Sequence, residues 1–348
     1  MKVLVTGNQG YIGSVLVDVL LEKGYEVVGY DVGYYKDCQF YSHEPDIVQI
    51  SKDIRDITVD DVKGCNAVIH LAALSNDPIG ELAPNLTEEI NLGGTIRTAK
   101  AAKKVGVKRF IYSSSQSMYG ISNINAELDE DLSEKHPLTA YACTKWDAEC
   151  ELKRMTDKDF HTTCFRPSTV FGVSPRLRCD IVYNNLVGCA YSTGKIEILS
   201  DGTPWRPVVH VLDVSNAFIA GLEAPLSLVS GESFNVGIPK GNFTVRDLAE
   251  AAQRSVPGSD LVFMGEHGND SRSYQVSFRK ILTVLKDYFK PEWDLDRGGR
   301  ELVSFFKKIN FTEDEFRGRF CMRIKQIKYL QESHKIGADL RFTGQGDG

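Results

Sequence analysis

Short apolar runs alternate with longer amphipathic stretches along the first half of this chain of 348 residues. Runs rich in aliphatic and β-branched residues predict buried strands at 3–5, 25–30, 67–73 and 108–113. Apolar positions at helical spacing predict helices over 11–21 and 96–105. This alternation predicts an α/β fold, a doubly wound parallel sheet that binds ligands at the carboxyl ends of its strands.

The alternation becomes irregular after Gly172, where loops at 174–178 and 200–204 interrupt it. We therefore predict one sheet domain over 1–172 and a smaller mixed α/β lobe over 173–343, with 205–237 a candidate for completing the first sheet. The last predicted strand is 233–236, and the charged segment 294–331 is predicted to be helical. The glycine-rich end, 344–348, is predicted to be disordered.

A glycine-rich turn separates the first strand from the first helix. Gly7 permits a sharp turn, Gly10 lets the backbone approach a pyrophosphate, and Gly13 lets the helix pack against the strand. The helix N-terminus adds unpaired N–H groups and a partial positive charge. Strand, glycine turn and helix together are typical of a dinucleotide-binding site, whereas a glycine triplet alone also fits a flexible loop.

An acidic residue ends the second strand. Asp31 follows the glycines by roughly 20 residues, the position at which a carboxylate accepts hydrogen bonds from the adenosine ribose. The same carboxylate repels the 2′-phosphate of NADP, and the neighbouring Val32 offers no compensating charge. The pattern favours NAD, the alternative being an acidic residue that only caps the strand.

Composition excludes several other classes of protein. The net charge is −6 with both signs interspersed, so neither a nucleic-acid surface nor a basic membrane patch is expected. The chain has no apolar run of membrane-spanning length, and its first predicted strand leaves no room for a secretory signal. The eight cysteines are scattered without a CxxC pair, which predicts reduced thiols, a cytoplasmic location and no metal site.

A serine-ended strand and a tyrosine–lysine pair carry the candidate chemistry. Ser113 to Ser115 close the fourth predicted strand, and Tyr141 and Lys145 lie four residues apart on one predicted helix face. A tyrosine with a pKa near 10 is a poor base at neutral pH, but a neighbouring ammonium favours its phenolate. A tyrosine and a lysine at this spacing also fit an ordinary surface helix, so the catalytic interpretation depends on the presence of the glycine turn in the same sequence.

The chain resembles the extended short-chain dehydrogenases/reductases, in the NAD-dependent epimerase/dehydratase family that acts on nucleotide-diphospho-sugars. The resemblance extends over nearly the whole chain and implies a Rossmann fold. The matching segments are 6–13, Asp53-Ile54, 71–73, Asn91, 113–120, 141–145, Arg166-Pro167, 184–186 and 206–213.

The resemblance implies a role for particular residues. It makes Ser115 the catalytic hydroxyl, Tyr141 the acid/base and Lys145 the partner that also binds the nicotinamide ribose. It places NAD against Gly7, Gly10, Tyr11, Ile12, Gly13, Asp31, Asp53, Ile54, Leu71, Ala72, Ala73, Asn91, Ser113, Tyr141, Lys145 and Pro167. It places the nucleotide-diphospho-sugar against Ser115, Gln116, Ser117, Thr169, Asn185, Arg206 and Arg272, the last three as diphosphate ligands. Surface ion pairs are the alternative for both arginines.

Departures from the family pattern narrow the reaction. Gln116 and Ser117 stand where 4,6-dehydratases carry an Asp-Glu pair, so dehydration is not expected. Thr169 stands where many epimerases have Asn, and 173–178 resembles a less familiar subgroup, so the sugar is not assigned.

The sequence therefore predicts an NAD-dependent sugar-nucleotide epimerase that acts most plausibly at C4. A 4-keto-sugar reductase or a sugar-nucleotide dehydrogenase needs the same hydride geometry and stays open. A non-catalytic NAD-binding regulator is a remote alternative, because it has no need of Ser115, Tyr141 and Lys145 together.

A homodimer is a further expectation from the resemblance. Relatives often dimerise through helices that include the Tyr141–Lys145 element. Trp146, Ala148 and Leu152 allow such a contact, and burial in the chain's own core is the alternative.

Overall fold

The computed structural model describes residues 1–75, 80–81, 83–120, 126–198, 200–263 and 273–344. Its strands are β1 Lys2–Thr6, β2 Glu26–Asp31, β3 Val48–Ser51, β4 Ala67–His70, β5 Arg109–Ser113, β6 His161–Pro167, β7 Thr169–Phe171, β8 Lys195–Ile198, β9 Trp205–His210, β10 Ser233–Val236, β11 Asn242–Thr244 and β12 Asp260–Phe263. Arg272 and residues 345–348, for which the sequence made predictions, lie outside the described ranges.

Helices flank the strands along the described chain. They are α1 Tyr11–Glu22, α2 Val59–Val62, α3 Pro84–Thr87, α4 Gly94–Lys104, α5 Ala140–Met155, α6 Val182–Thr193, α7 Val211–Glu223, α8 Leu226–Val229, α9 Val245–Ser255, α10 Arg279–Val284, α11 Leu295–Ile309, α12 Glu313–Arg317 and α13 Arg323–Glu332. A π-helical segment, Glu88–Gly93, leads directly into α4. None of these helices is both long and apolar enough to cross a membrane.

A parallel sheet forms the centre of the molecule and confirms the predicted doubly wound, Rossmann-like fold. Within the described residues its seven strands follow the order β10-β6-β5-β4-β1-β2-β3. The order reverses between β1 and β4, and such a switch point opens a crevice at the carboxyl ends of the strands. Because β10 comes from Ser233–Val236 and pairs with β6, a segment far beyond Gly172 completes the sheet.

Apolar layers cover both faces of this sheet. One core cluster packs α1 and α7 against one face, through residues such as Leu16, Leu20 and Phe218. A second cluster packs α4 and α5 against the other face, through residues such as Ala102 and Leu152. The sheet therefore presents its strand ends, and not its faces, to a ligand.

A second lobe stands beyond these strand ends. The sheet β11-β9-β7 and the pair β12-β8 form it with α6, α9 and α11 around a third apolar core. The strands β11 and β12 correct the expectation that 233–236 would be the last strand. Both are short and partly exposed, so they lack the long apolar run on which that expectation depended.

The charged segment 294–331 is mainly helical, as predicted, and is divided among three helices. The helix α11 ends at Asn310, which takes a left-handed conformation with φ 52°. Thr312 then begins α12 with a capping box in which Glu315 is the reciprocal partner. A left-handed residue followed by a new cap ends one helix and starts another.

The residues proposed for a dimer contact differ in exposure. Ala148 and Leu152 are fully buried in the chain's own core, whereas Trp146 is only partly buried. Ala148 and Leu152 are therefore core residues, and the homodimer stays a prediction.

Candidate active site

The glycine turn has the close contacts that its sequence predicts. Gly7 takes φ +72°, and a Cβ there would lie 2.8 Å from the Ala72 nitrogen. A Cβ on Gly13 would lie 2.2 Å from the Gly7 carbonyl oxygen, so only glycine lets α1 approach the turn. Gly10 is the cap of α1 and supplies no side-chain acceptor. The first amides of α1 have no partner within the helix, and they are available to an anion.

Asp31 is fixed at the end of β2. Its carboxylate accepts hydrogen bonds from the Gln9 amide at 3.1 Å and the Gly33 amide at 2.8 Å. Burial raises the pKa of Asp31, and Arg176 and Arg323 oppose that shift. Sequence reasoning considered only Val32 as a neighbour, whereas the fold brings two arginines close to this carboxylate.

Asp53 and Ile54 border the cavity beyond β3. The Asp53 carboxylate accepts hydrogen bonds from the Arg55 guanidinium at 2.6 and 3.0 Å, and its backbone carbonyl accepts one from the Tyr30 hydroxyl at 2.8 Å. This pairing holds the turn in place, so Ile54 offers an apolar surface to an aromatic ligand.

A buried hydrogen-bond network positions the turn after β4. Thr95 donates its hydroxyl proton to the Asn91 carbonyl, so it accepts from Nε2 of His70 at 2.9 Å. Nδ1 of His70 is then the acceptor for the Thr6 hydroxyl at 2.8 Å, and the Thr6 oxygen accepts from the Ala72 amide. Burial lowers the pKa of His70 to about 3, which keeps the ring neutral and the network intact.

Asn91 belongs to the support of this turn and not to the cavity wall. Its side-chain amide binds both the N–H of Leu74, at 2.8 Å, and the carbonyl of Leu74, at 3.2 Å. It is therefore a positioning residue for the segment that contains Ala72 and Ala73. This differs from the direct cofactor contact that the resemblance implies.

Lys145 and Tyr141 meet where β5 ends. Thr139 caps α5, which puts both residues in its first two turns. The Lys145 ammonium donates to the Ser113 carbonyl at 2.7 Å and lies 5.9 Å from the centre of the Tyr141 ring. Burial lowers the pKa of Lys145 to about 7, so a negative partner such as a phenolate is needed to stabilise its charge at neutral pH.

The serine turn lies on the other side of this pair. Ser115 and Ser117 share a hydrogen bond of 2.9 Å between their hydroxyls. Gln116 is turned inward and donates to the Arg166 carbonyl at 3.0 Å. The turn therefore presents hydroxyl groups to the cavity, and the Gln116 amide has no acid or base function to offer.

One cavity of about 1250 Å³ unites these elements. It is larger than a typical pocket for a single small ligand, so it has room for a dinucleotide and a second molecule. The predicted site residues that line it are Gly7, Gly10, Tyr11, Ile12, Gly13, Asp31, Asp53, Ile54, Leu71, Ala72, Ala73, Ser113, Ser115, Gln116, Ser117, Tyr141, Lys145, Pro167, Thr169, Asn185 and Arg206. Asn91 alone among the described predicted residues is not part of the wall.

Two arginines in the wall were not predicted. Arg178 is buried and holds both oxygens of Asp180, at 2.8 and 3.1 Å, while it also donates to the Ser75 hydroxyl at 3.2 Å. Arg323 begins α13 and lines the same cavity. The spacing of Arg178 and Asp180 in the sequence could have indicated Arg178, whereas no local sequence pattern indicates Arg323.

The site fits a dinucleotide on the structural observations alone. The glycine turn leaves a helix N-terminus open, Asp31 stands at the next strand end, and a buried nitrogen of Arg323 has no hydrogen-bond partner among the described residues. Free amides, a carboxylate and an unpaired guanidinium nitrogen suit diphosphate and ribose groups.

Comparisons with known proteins agree with this arrangement. Residues 3–237 match the model of the NAD dependent epimerase/dehydratase family. The chain is 30% identical over 311 residues to a UDP-glucose 4-epimerase of Lactobacillus helveticus. The aligned region covers 82% of this chain and 91% of that protein. It is 29% identical over 292 residues to a UDP-glucose 4-epimerase of Bacillus subtilis, which covers 76% of this chain and 84% of that protein.

A solved structure supports the same relationship. The structure of MoeE5 in complex with UDP-glucuronic acid and NAD superimposes with a TM-score of 0.75 at 26% identity and covers 88% of this chain and 99% of MoeE5. The chain therefore belongs to the NAD-dependent epimerase/dehydratase family, a family of enzymes whose cofactor is NAD.

Proposed function

We propose that this protein is an NAD-dependent epimerase that inverts C4 of a UDP-linked sugar through a transient keto sugar. The observation that carries the proposal is the convergence of Ser115, Tyr141 and Lys145 in the wall of the same cavity as the glycine turn. The related UDP-sugar 4-epimerases support UDP as the nucleotide and C4 as the reacting carbon.

Tyr141 is the acid/base in this proposal. Its phenolate takes the proton of the sugar hydroxyl and returns a proton when the ketone is reduced. The Lys145 ammonium, 5.9 Å from the centre of the Tyr141 ring, stabilises the phenolate, and the phenolate in turn stabilises the buried ammonium. Ser115 donates a second hydrogen bond to the same sugar oxygen.

Bound NAD supplies the hydride acceptor and donor in each turnover. Inversion would also require the ketone to turn over within the cavity before it is reduced again. In our proposal Asn185 and Arg206, which line the half of the cavity formed by the second lobe, hold the diphosphate while the sugar turns. The volume of the cavity, about 1250 Å³, is consistent with such a rotation.

Dehydration is disfavoured by the serine turn. A dehydratase needs a second acid and base beside the reacting carbons, and Gln116 and Ser117 provide neither. The Gln116 amide is moreover engaged with the Arg166 carbonyl inside the protein.

The test is a screen for isomerisation without added reductant. Purified protein is incubated with UDP-glucose, UDP-galactose, UDP-glucuronate and UDP-galacturonate in turn, and the products are separated by chromatography. We expect conversion within one C4-epimeric pair at constant total sugar nucleotide. Stoichiometric reduction of added NAD with formation of an oxidised sugar nucleotide would replace the epimerase with a dehydrogenase. Stoichiometric oxidation of NADH by an added 4-keto sugar nucleotide, with no isomerisation in the screen, would replace it with a reductase.

Tyr141→Phe is the matched control for this screen, because it removes one oxygen atom and keeps the ring. We expect turnover to fall at least about 100-fold, the usual contribution of a general acid/base, while NAD binding stays within a few-fold. Unchanged turnover in the variant would remove Tyr141 from the mechanism.

A further inference from the structure

The end of the chain packs across the cofactor half of the cavity. Gln326 donates to the Tyr34 carbonyl at 2.9 Å, and the Tyr34 hydroxyl donates to the Leu340 carbonyl at 2.6 Å. Arg55 donates to the Asp339 carbonyl at 3.0 Å. Tyr34 follows β2 and Arg55 follows β3, so this C-terminal segment, residues 322–343, is tied to the two turns that border the adenosine side of the site.

Arg323 is the residue of the C-terminal segment that is buried at the cavity wall. Its exposed fraction is 2%, and its guanidinium lies 4.2 Å from the centre of the Tyr35 ring. One terminal nitrogen, Nη2, donates to the Arg176 carbonyl at 2.7 Å. The other, Nη1, is buried without a hydrogen-bond partner in the part of the chain that the structure describes.

An unpaired nitrogen on a buried cation is costly, so it points to a missing partner. A buried polar group without a hydrogen bond costs about 1–3 kcal/mol, and a charged one costs more. Burial lowers the pKa of Arg323, and the nearby charge of Arg178 lowers it further. Arg178 occupies both oxygens of Asp180, and the amides of Gln9 and Gly33 hold Asp31. An anionic group that reached this guanidinium would supply the missing hydrogen-bond partner.

We propose that Arg323 binds the diphosphate of the dinucleotide, which makes the C-terminal segment a functional wall of the cofactor site. The inference rests on the NAD site of the proposed function. A sugar nucleotide also carries a diphosphate, but Arg323 packs on the ring of Tyr35 and lies within electrostatic range of Asp31, in the cofactor half of the cavity. A guanidinium is suited to this task because its fork matches phosphate oxygens.

The test measures binding to cofactor-free protein by isothermal titration. Arg323→Met keeps the length and apolar stem of the side chain and removes the donors. NAD, ADP, adenosine and UDP are titrated into the wild type and the variant. We expect the affinities for NAD and ADP to fall about 10- to 100-fold, the size of one lost charge-assisted hydrogen bond, with adenosine and UDP unchanged.

Arg317→Met is the matched control. Arg317 belongs to the preceding helix, α12, where it is exposed and pairs with Glu313 at 2.7 Å. We expect it to bind all four ligands as the wild type does. Should Arg323→Met fail to fold, Arg323→Lys keeps a charge without the fork, and we expect it to weaken NAD and ADP by a few-fold while adenosine is unchanged.

The ligand series separates the ways in which the inference can fail. Equal losses for adenosine and ADP would show a structural role for Arg323, and a loss confined to UDP would assign it to the sugar nucleotide. Unchanged NAD affinity in an active enzyme would overturn the inference alone. Wild-type protein that binds NAD normally but isomerises no sugar would overturn the proposed function alone.

Discussion

Glu149→Gln is expected to destabilise the folded protein by about 3–5 kcal/mol, the usual cost of leaving one member of a buried ion pair uncompensated. Glu149 lies beneath the serine turn on α5, and its carboxylate accepts from Arg166 at 2.5 and 3.1 Å, both side chains being fully buried. Ser114 and Ser233 donate to the same carboxylate at 2.7 and 2.6 Å.

The electrostatics explain why the charge matters. Burial alone would raise the pKa of Glu149, yet the Arg166 guanidinium and the hydrogen bonds from Arg166 and Ser233 hold it below its usual value. A glutamine amide in place of this carboxylate would keep the shape of the side chain and remove its charge, so the buried Arg166 guanidinium would lose its direct ion-pair partner.

A double-mutant cycle with urea denaturation checks this magnitude. The free energy of unfolding is measured for the wild type, Glu149→Gln, Arg166→Met and the double variant. Because the double variant removes both members of the buried ion pair, we expect it to cost clearly less than the sum of the two single changes. Additive losses, or a Glu149→Gln cost below about 1 kcal/mol, would refute the reasoning.

Two further predictions test the turn and the lysine. Gly13→Ala places a Cβ 2.2 Å from the Gly7 oxygen, so we expect the free energy of unfolding to fall by about 1–3 kcal/mol or more and NAD binding to be lost. The control is Gly93→Ala, which should be tolerated because its Cβ would make only an ordinary contact of 3.9 Å. Thermal melts and NAD titration distinguish the two variants. Burial lowers the pKa of Lys145 to about 7, against about 10.4 in an unfolded chain. Between these two pH values the unfolded chain binds one proton more than the folded protein. The contribution of Lys145 to the free energy of unfolding therefore rises with pH, by about 1.4 kcal/mol per pH unit. In cofactor-free protein Lys145→Met should remove that rise above pH 7, and equal slopes for both proteins would contradict the assignment.

The cofactor half of the site was predictable because its signals are local. Gly7, Gly10 and Gly13 are close in sequence, and Asp31 ends the next strand. The parallel sheet then brings residues from different strands together, since the carboxyl ends of all its strands lie at one edge. Ser113 and Pro167, which end β5 and β6, are thus brought to the same cavity as the glycine turn.

The remainder depends on contacts between distant segments. Nothing near Arg323 in the sequence indicates that it reaches the neighbourhood of Asp31, because the approach is made by the whole fold of the second lobe. In the sequence, His70 is one residue of an apolar predicted strand. Its role in the hydrogen-bond network is visible only from its contacts with Thr6 and Thr95 in the fold. The break after α11 carried a usable signal, since Thr312 and Glu315 have the spacing of a capping box.

The most direct test of the central claim follows the hydrogen at the reacting carbon. A UDP-sugar that the screen identifies as a substrate is prepared with deuterium at C4 and converted by the purified protein without added nucleotide. We predict that the epimeric product retains deuterium at C4, since the hydride is stored by tightly held cofactor and returned to the same sugar. Product that carries solvent hydrogen at C4, or deuterium that accumulates in released NADH, would contradict the account.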